Sequence, residues 1–230
     1  MDIHIIKEDE ETINFYKEHY DYLNLAIDNL FQKIEKFRTL EIQKGLDRDP
    51  IDSFKSRIKT AQSMKDKLRR YGFAITLENA MKSIYDAAGI RILCTFLDDV
   101  YYVADFIQNS SGIKVHEIKD YIARPKPNGY RSYHMIVAVD VNCEGKKKSV
   151  YAEIQIRTIA MDCWASLEHQ LKYKKTICYE DMMIKELKRC ADEIATVDLN
   201  LQTIRYIIDS PDNGVYSLGG KSYETIARRR

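Results

Sequence analysis

Glu153, Gln155 and Arg157 alternate along Val150-Tyr151-Ala152-Glu153-Ile154-Gln155-Ile156-Arg157. Strand period is two, so these three share one face while Ala152, Ile154 and Ile156 share the other. An acid, an amide and a guanidinium in a row make a polar face. Asp86 stands just before the apolar run of residues 89–96, at the mouth of a buried strand that also carries Arg91. Together Asp86 and Glu153 are a carboxylate pair of the kind that holds Mg²⁺ against phosphate oxygens. Residues 55–70 hold seven basic side chains (Lys55, Arg57, Lys59, Lys65, Lys67, Arg69, Arg70) and one acid, Asp66. Read as a helix over 52–71, they put Lys55, Lys59, Lys67 and Arg70 near one face, with Ser63 filling the gap in the row. Such a face suits a polyphosphate.

A fourth group lies in Ala123-Arg124-Pro125-Lys126-Pro127-Asn128-Gly129-Tyr130-Arg131-Ser132-Tyr133-His134. Two prolines and Asn-Gly make a stiff loop that presents Arg124, Lys126 and Arg131 beside Tyr130. A ring next to cationic charge can receive a base and its phosphates. Beyond the strand, Asp162 and His169 are seven apart, on one helical face. Each element has an ordinary reading when taken alone: a solvated charged face, a turn acid, a decorated turn, and a satisfied structural histidine at His134.

Composition narrows the setting. The chain has 230 residues, 45% hydrophobic and 31% charged, enough apolar material for a core. Lys plus Arg number 36 against 35 Asp plus Glu, a formal charge of +1, which excludes a chain-wide basic field. No apolar run is long enough to span a bilayer, and the first residues lack a basic segment and an apolar core, so neither a membrane protein nor a secretory signal is expected. The five cysteines form no C-x-x-C pair, which fits free thiols in the cytoplasm. The glycines lack P-loop spacing, and H-E-x-x-H and G-x-S-x-G are absent.

The elements that must position these groups follow from periodicity. Tyr16, Tyr20, Leu23, Ile27, Leu30, Ile34 and Phe37 form a heptad seam on one helix over 10–44. A second helix is expected over 52–71, capped by Asp52 or Ser53 and ended by Gly72, and a short one over 76–85 with Thr76 as its cap. Strands are expected over 89–96, 113–123, 133–141 and 149–157, with a helix over 98–109 and a turn over 142–148. Helices return over 158–173 and 180–209, and Pro211 ends the last. The fold class is therefore α+β (mixed α/β). A helical arm over 1–50, a core over 51–175, a second arm over 176–210 and a flexible tail over 211–230 make up the chain.

In combination the motifs resemble the synthetase domain of RelA/SpoT-type proteins, in the small, single-domain alarmone synthetase form. The resemblance runs through Arg57-Ile58-Lys59, Asp86-Ala87-Ala88-Gly89-Ile90-Arg91, the loop from Asp120 to His134, Glu153-Ile154-Gln155-Ile156-Arg157-Thr158, and Ala160-Met161-Asp162-Cys163-Trp164-Ala165 followed by Glu168-His169. It implies a nucleotidyltransferase-like mixed sheet flanked by helices. It also implies transfer of the β,γ-pyrophosphoryl group of ATP to the ribose 3′-hydroxyl of GDP or GTP, giving ppGpp or pppGpp and AMP. Arg57, Lys59, Lys67 and Arg70 would then grip ATP, an arginine also stacking on adenine. Asp86 and Glu153 would hold Mg²⁺, with Glu153 alternatively taking the proton of the attacking hydroxyl, and Arg91 would neutralise donor charge. Tyr130 would stack on guanine, Lys126 with Arg131 or His134 would contact acceptor phosphates, and Gln155 and Asp162 would place the acceptor. Phosphoryl-type transfer needs positioning and charge neutralisation above all.

The resemblance further implies a homotetramer built by the terminal helices, in some relatives with an allosteric alarmone site in its central cleft. The long relatives carry an upstream hydrolase domain with a His-Asp metal motif; His4 and His19 are not followed by Asp, so no alarmone hydrolysis by that route is expected. Glu117-Ile118-Lys119-Asp120 is a hybrid of the basic and acidic motifs of the long relatives, and Asp162 stands where Asn also occurs in close ones. Two other functions compete: pyrophosphorylation of a tRNA 3′ end, and a non-catalytic nucleotide- or RNA-binding regulator. RNA binding as a second activity would draw on Lys146 to Lys148 and Arg228 to Arg230.

Overall fold

The structure is a computed structural model that describes residues 10–45, 48–172 and 180–209. In chain order it comprises α1 (Glu10–Tyr16), α2 (His19–Gln43), β1 (Ile51–Ile58), α3 (Ala61–Arg70), α4 (Leu77–Ser83), β2 (Ala88–Cys94), α5 (Leu97–Gln108), β3 (Ile113–Asp120), β4 (Tyr133–Cys143), β5 (Lys146–Thr158), α6 (Ile159–Lys172) and α7 (Glu180–Asp209). The five strands form one mixed sheet in the order β1-β2-β5-β4-β3. Only the central pair, β2 and β5, is parallel.

Alternation divides the sheet into two faces. Ile90, Ile92, Cys94, Met135, Val137, Val139, Ala152, Ile154 and Ile156 are buried on one of them. Leu23, Ile27, Leu30, Ile34 and Phe37 of α2 and Val100, Val103 and Ile107 of α5 complete that core. The heptad seam of α2 therefore covers the sheet. Ile154 is 1% exposed at the centre of this layer. Ile154→Ala is expected to lower unfolding free energy by roughly 2–4 kcal/mol in a denaturant titration, from lost transfer energy plus a cavity.

The expected helix over 52–71 is not one element. Residues 51–58 are the edge strand β1, and the helix begins only at Ala61, capped by Thr60, whose hydroxyl accepts from the Ser63 N–H. Ile51, Phe54 and Ile58 are spaced three and four apart, which imitates a helical stripe. A bulge between Ile51 and Ser53 shifts the register by one. It brings Ile51, opposite Cys94, and Phe54, opposite Ile92, onto the same face despite their odd separation. Lys55 and Arg57 then point to the other face, opposite Arg91 and Gly89.

Two further boundaries differ. The single helix expected over 10–44 is broken at Lys17, whose φ of 52° is left-handed. The break turns α1 back onto the start of α3, where the Tyr16 hydroxyl donates to the Lys59 carbonyl (2.9 Å) and Thr12 Oγ1 accepts from the Ala61 N–H (3.0 Å). The turn expected over 142–148 tightens to Glu144 and Gly145, both at positive φ, so β5 starts at Lys146. Thr76 caps α4 and Gly72, at φ 73°, closes α3. Pro211, the tail over 211–230 and Arg228 to Arg230 lie outside the described residues.

Candidate active site

The polar face of the sheet carries the chemistry. Arg57, Gly89, Glu153 and Ile136 are successive neighbours across β1, β2, β5 and β4, and Lys55, Arg91, Gln155 and His134 form the next row. Period two thus lays a carboxylate, an amide and three cations on one surface, above a core that fixes their backbones.

Asp86, in the segment between α4 and β2, stands over this surface. Its Oδ2 accepts from Lys67 Nζ (2.6 Å) and lies 3.2 Å from Lys59 Nζ. Lys59 follows β1 and Lys67 comes from the second turn of α3, so both reach the acid although they share no helix face. Asp86 Oδ1 is buried with no hydrogen-bond partner among the described residues. Glu153 accepts from Gln155 Nε2 (2.7 Å) and lies 3.3 Å from His134 Nδ1. Burial opposes its ionisation, but the bond and charge of His134, the Gln155 bond and the Lys67 charge outweigh it and hold Glu153 down to about 2. Glu153 contributes stability above its ordinary value of 4.5, and loses it as pH falls through about 2. A reaction run at this site is therefore expected to show no acid limb near pH 4.5 from Glu153, which a pH–rate profile checks.

Two clefts meet at Asp86 and Glu153, which line both. One, of about 250 Å³, is walled by Lys55, Arg57, Arg91 and Gln155. Burial and the nearby Arg157 and Arg57 charges lower the Arg91 pKa against the opposing pull of Asp162, the mark of crowded cations. The other, of about 300 Å³, is walled by Lys67, Tyr71, Tyr85, Glu117 and Lys119. A cleft of about 520 Å³ between α2 and α5, on the opposite side of the sheet, has neither carboxylate among its lining residues.

Tyr130 anchors the loop side. Lys126 Nζ lies 4.7 Å from its ring centroid and 4.6 Å from that of Tyr121, and Arg157 Cζ lies 5.1 Å from Tyr130's. The Tyr130 hydroxyl accepts from Arg157 (2.5 Å) and is 2.8 Å from His134 Nε2. Arg157 is 4% exposed and also donates to Gln155 Oε1 and Asp162 Oδ1, both at 2.9 Å. Asp162, at the start of α6, is 3.2 Å from Arg91 as well.

Eleven of the residues singled out in the sequence are placed around these two clefts and the loop: Arg57, Lys59, Lys67, Asp86, Arg91, Lys126, Tyr130, His134, Glu153, Gln155 and Asp162. Two stand apart. Arg70 is exposed, its guanidinium 5.7 Å from the Tyr71 ring centroid. Arg131, expected beside acceptor phosphates, turns away and bonds α7. Arg157 and Tyr121 also belong to the site, beyond the residues to which the sequence assigns a role. Arg157 was within reach, since it shares the face of Glu153 and Gln155. Tyr121 lies in the resembling stretch from Asp120 to His134, but only the fold brings it beside Tyr130.

A carboxylate pair between cationic clefts, next to a loop of rings and cations, defines a nucleotide-dependent transferase of the phosphoryl class. The chain belongs to the RelA/SpoT family: the family model described as "Region found in RelA / SpoT proteins" matches residues 56–177. The GTP pyrophosphokinase YwaC of Bacillus subtilis (strain 168) is 42% identical over 161 residues, which cover 70% of this chain and 77% of that protein. The crystal structure of small alarmone synthetase 1 from Bacillus subtilis bound to its product pppGpp superposes with a TM-score of 0.73 at 32% identity, covering 84% of this chain and 99% of that one. The same synthetase bound to AMPCPP gives 0.69 at 28% identity, covering 88% and 100%. The mixed α+β fold with helices flanking a five-stranded sheet is that of the small alarmone synthetases.

Proposed function

We propose that this chain transfers the β,γ-pyrophosphoryl group of ATP to the ribose 3′-hydroxyl of GDP or GTP, giving ppGpp or pppGpp and AMP. One observation carries the reading: Glu153 is held ionised where a cationic cleft and the Tyr130 loop converge. Its relatives act as GTP pyrophosphokinases and are solved with pppGpp and with AMPCPP.

ATP enters the cleft of Lys55, Arg57 and Arg91. The guanidinium planes of Arg57 and Arg91 suit adenine, and the charges of Lys59 and Lys67 suit its phosphates. Mg²⁺ fits the donor set, because Asp86 Oδ1 is a buried hard oxygen without a partner and Glu153 is ionised. Asp86 and Glu153 would hold the ion, which supplies neutralisation of the charge on the transferring group. The acceptor base stacks on Tyr130, with Lys126 moving from the ring to the acceptor phosphates and Asp162 and Gln155 placing the nucleoside. Glu153, held near 2, is a weak base and a strong hydrogen-bond acceptor. It orients the 3′-hydroxyl and takes its proton only as the new P–O bond nears completion.

Tyr130→Ala is expected to raise KM for GDP by roughly ten-fold or more, from loss of about 1–3 kcal/mol of stacking, with KM for ATP little changed. Steady-state kinetics with each substrate varied checks it. The function itself is tested with γ-labelled ATP, Mg²⁺ and each of GMP, GDP, GTP and deacylated tRNA. Label on GDP or GTP supports the reading; label on tRNA alone moves the protein to the tRNA-modifying branch.

The same reading extends to assembly and setting. We propose a homotetramer, supported by the apolar outer face of α7, where Val197, Leu201, Ile204 and Ile208 are all exposed. An alarmone in its central cleft would regulate it. A monomer by light scattering at micromolar concentration overturns the assembly. Among the described residues no helix is long and apolar enough to cross a membrane, and the cytoplasm supplies the nucleotides. RNA binding would fall to Lys146 to Lys148 on the β4–β5 hairpin.

A further inference from the structure

We propose that α7 is the brace of the acceptor loop, and that Arg131 is a positioning residue acting through it on Tyr130. The inference rests on Tyr130 as the platform for the acceptor base.

The loop of residues 121–132 is closed on itself by short backbone bonds, Gly129 N to Lys126 O (2.8 Å) and Tyr121 N to Ser132 O (3.0 Å). Its outer anchorage is to α7. Arg131 donates to the Ala191 carbonyl (3.2 Å) and to Asp192 Oδ1 (2.9 Å), and the same guanidinium ties back to Gly129 O (3.1 Å). Gly129, at φ 91°, lies so close that an added Cβ would meet Ala191 Cβ at 2.5 Å and Lys188 Cα at 3.0 Å. One turn earlier, the Leu187 carbonyl accepts from Trp164 Nε1 (3.0 Å), and the Trp164 ring lies 6.4 Å from that of Tyr130. Leu187 and Ala191 are four apart, so two carbonyls on one face of α7 grip both neighbours of the platform. Mid-helix carbonyls already accept from their own helix; using their second lone pair ties the loop to a rigid rod instead of to a flexible side chain.

α7 in turn is fixed to the core at its far end. Thr158 Oγ1 donates to Asp198 Oδ2 (2.6 Å), and Gln202 Oε1 accepts from the Asp98 N–H (3.2 Å). Thr158 directly follows Arg157, which bonds the Tyr130 hydroxyl. The ring is thus held from α7 on its loop side and from β5 at its hydroxyl. Arg131 has its polar reach committed to the helix, so the effect on the acceptor is geometric.

The experiment compares Arg131→Gln, Asp192→Asn and the double variant, with KM measured for GMP, GDP, GTP and ATP. A brace predicts that each single change raises acceptor KM by roughly ten-fold, as expected for lost charge-assisted bonds. The factor should be the same for all three acceptors, since a brace places the base and ignores the phosphates. The double variant should be no worse than either single one, KM for ATP should stay within about two-fold, and Arg131→Lys should recover part of the loss. An effect that grows with phosphate number, or that Asp192→Asn lacks, would make Arg131 a direct phosphate contact and overturn the proposal. Trp164 is the chain's only tryptophan, so its emission reads the loop independently of turnover. GDP should perturb it in the wild type at concentrations roughly ten-fold lower than in either variant. If the wild type binds GDP but transfers nothing to it, the reaction assigned above fails while this titration still decides the brace; equal titrations in all proteins would refute it. Circular dichroism confirms that each variant is folded.

Discussion

Glu153→Gln is expected to cut synthesis by roughly 10³-fold or more, with nucleotide binding largely kept. The substitution preserves shape and one oxygen but removes the carboxylate charge that Gln155 and His134 flank. Two contributions vanish together: an anionic ligand for the ion and the acceptor that orients the 3′-hydroxyl. Proton transfer alone is worth about 10²–10⁴-fold and charge stabilisation a further few kcal/mol. The amide also changes its neighbours. Gln155 now donates to a neutral oxygen, and His134 loses its anionic partner. Binding of AMPCPP and GDP by calorimetry, set beside turnover, separates the two effects. Affinities within a few-fold of wild type with turnover lost place Glu153 in the transition state; equal loss of both would make it a binding residue only.

Asp86→Asn is expected to cost roughly 10²-fold or more at low Mg²⁺, with partial recovery as Mg²⁺ is raised. Asp86 offers one oxygen to Lys59 and Lys67 and keeps the other buried and unpartnered. A buried carboxylate oxygen without a donor is costly, and a cation relieves that cost. The amide cannot match it: neutral oxygen is the weaker ligand, and its NH₂ would face two ammonium groups. A Mg²⁺ titration of the initial rate checks the prediction. A midpoint unmoved from wild type would remove Asp86 from the metal site and leave it as the partner of two lysines. Glu153→Gln should not be rescued by the same titration to the same degree, because the hydroxyl-orienting role is lost with the charge.

The face of β5 was legible because period two is local: Glu153, Gln155 and Arg157 need only an extended backbone to share a side. Asp86 was legible from its place before an apolar strand. The caps at Thr76 and Gly72 were equally local. The edge strand was not, because the bulge near Asp52 makes Ile51 and Phe54 imitate helical spacing, and a bulge is set by pairing with β2. Lys59 and Lys67 do not share the single helical face that their spacing suggests. They converge on Asp86 from a loop and a helix, 27 and 19 positions away in the chain. Arg131 shows the limit most clearly. Its type and position between Tyr130 and Ser132 suggest a phosphate contact, yet its carboxylate partner is 61 residues distant on α7. The heptad seam on α2 pointed equally to a core and to an interface, and burial against the sheet decides for the core.

The most direct test of the central claim is the identity of both products when ATP labelled at the β-phosphate is incubated with GDP and Mg²⁺. The site as read here moves the β- and γ-phosphates together, so label should appear on a guanosine 3′-diphosphate with one AMP released per turnover, and Glu153→Gln should show neither. Formation of ADP, or label that stays on adenosine while a single phosphate moves, would contradict pyrophosphoryl transfer by this site.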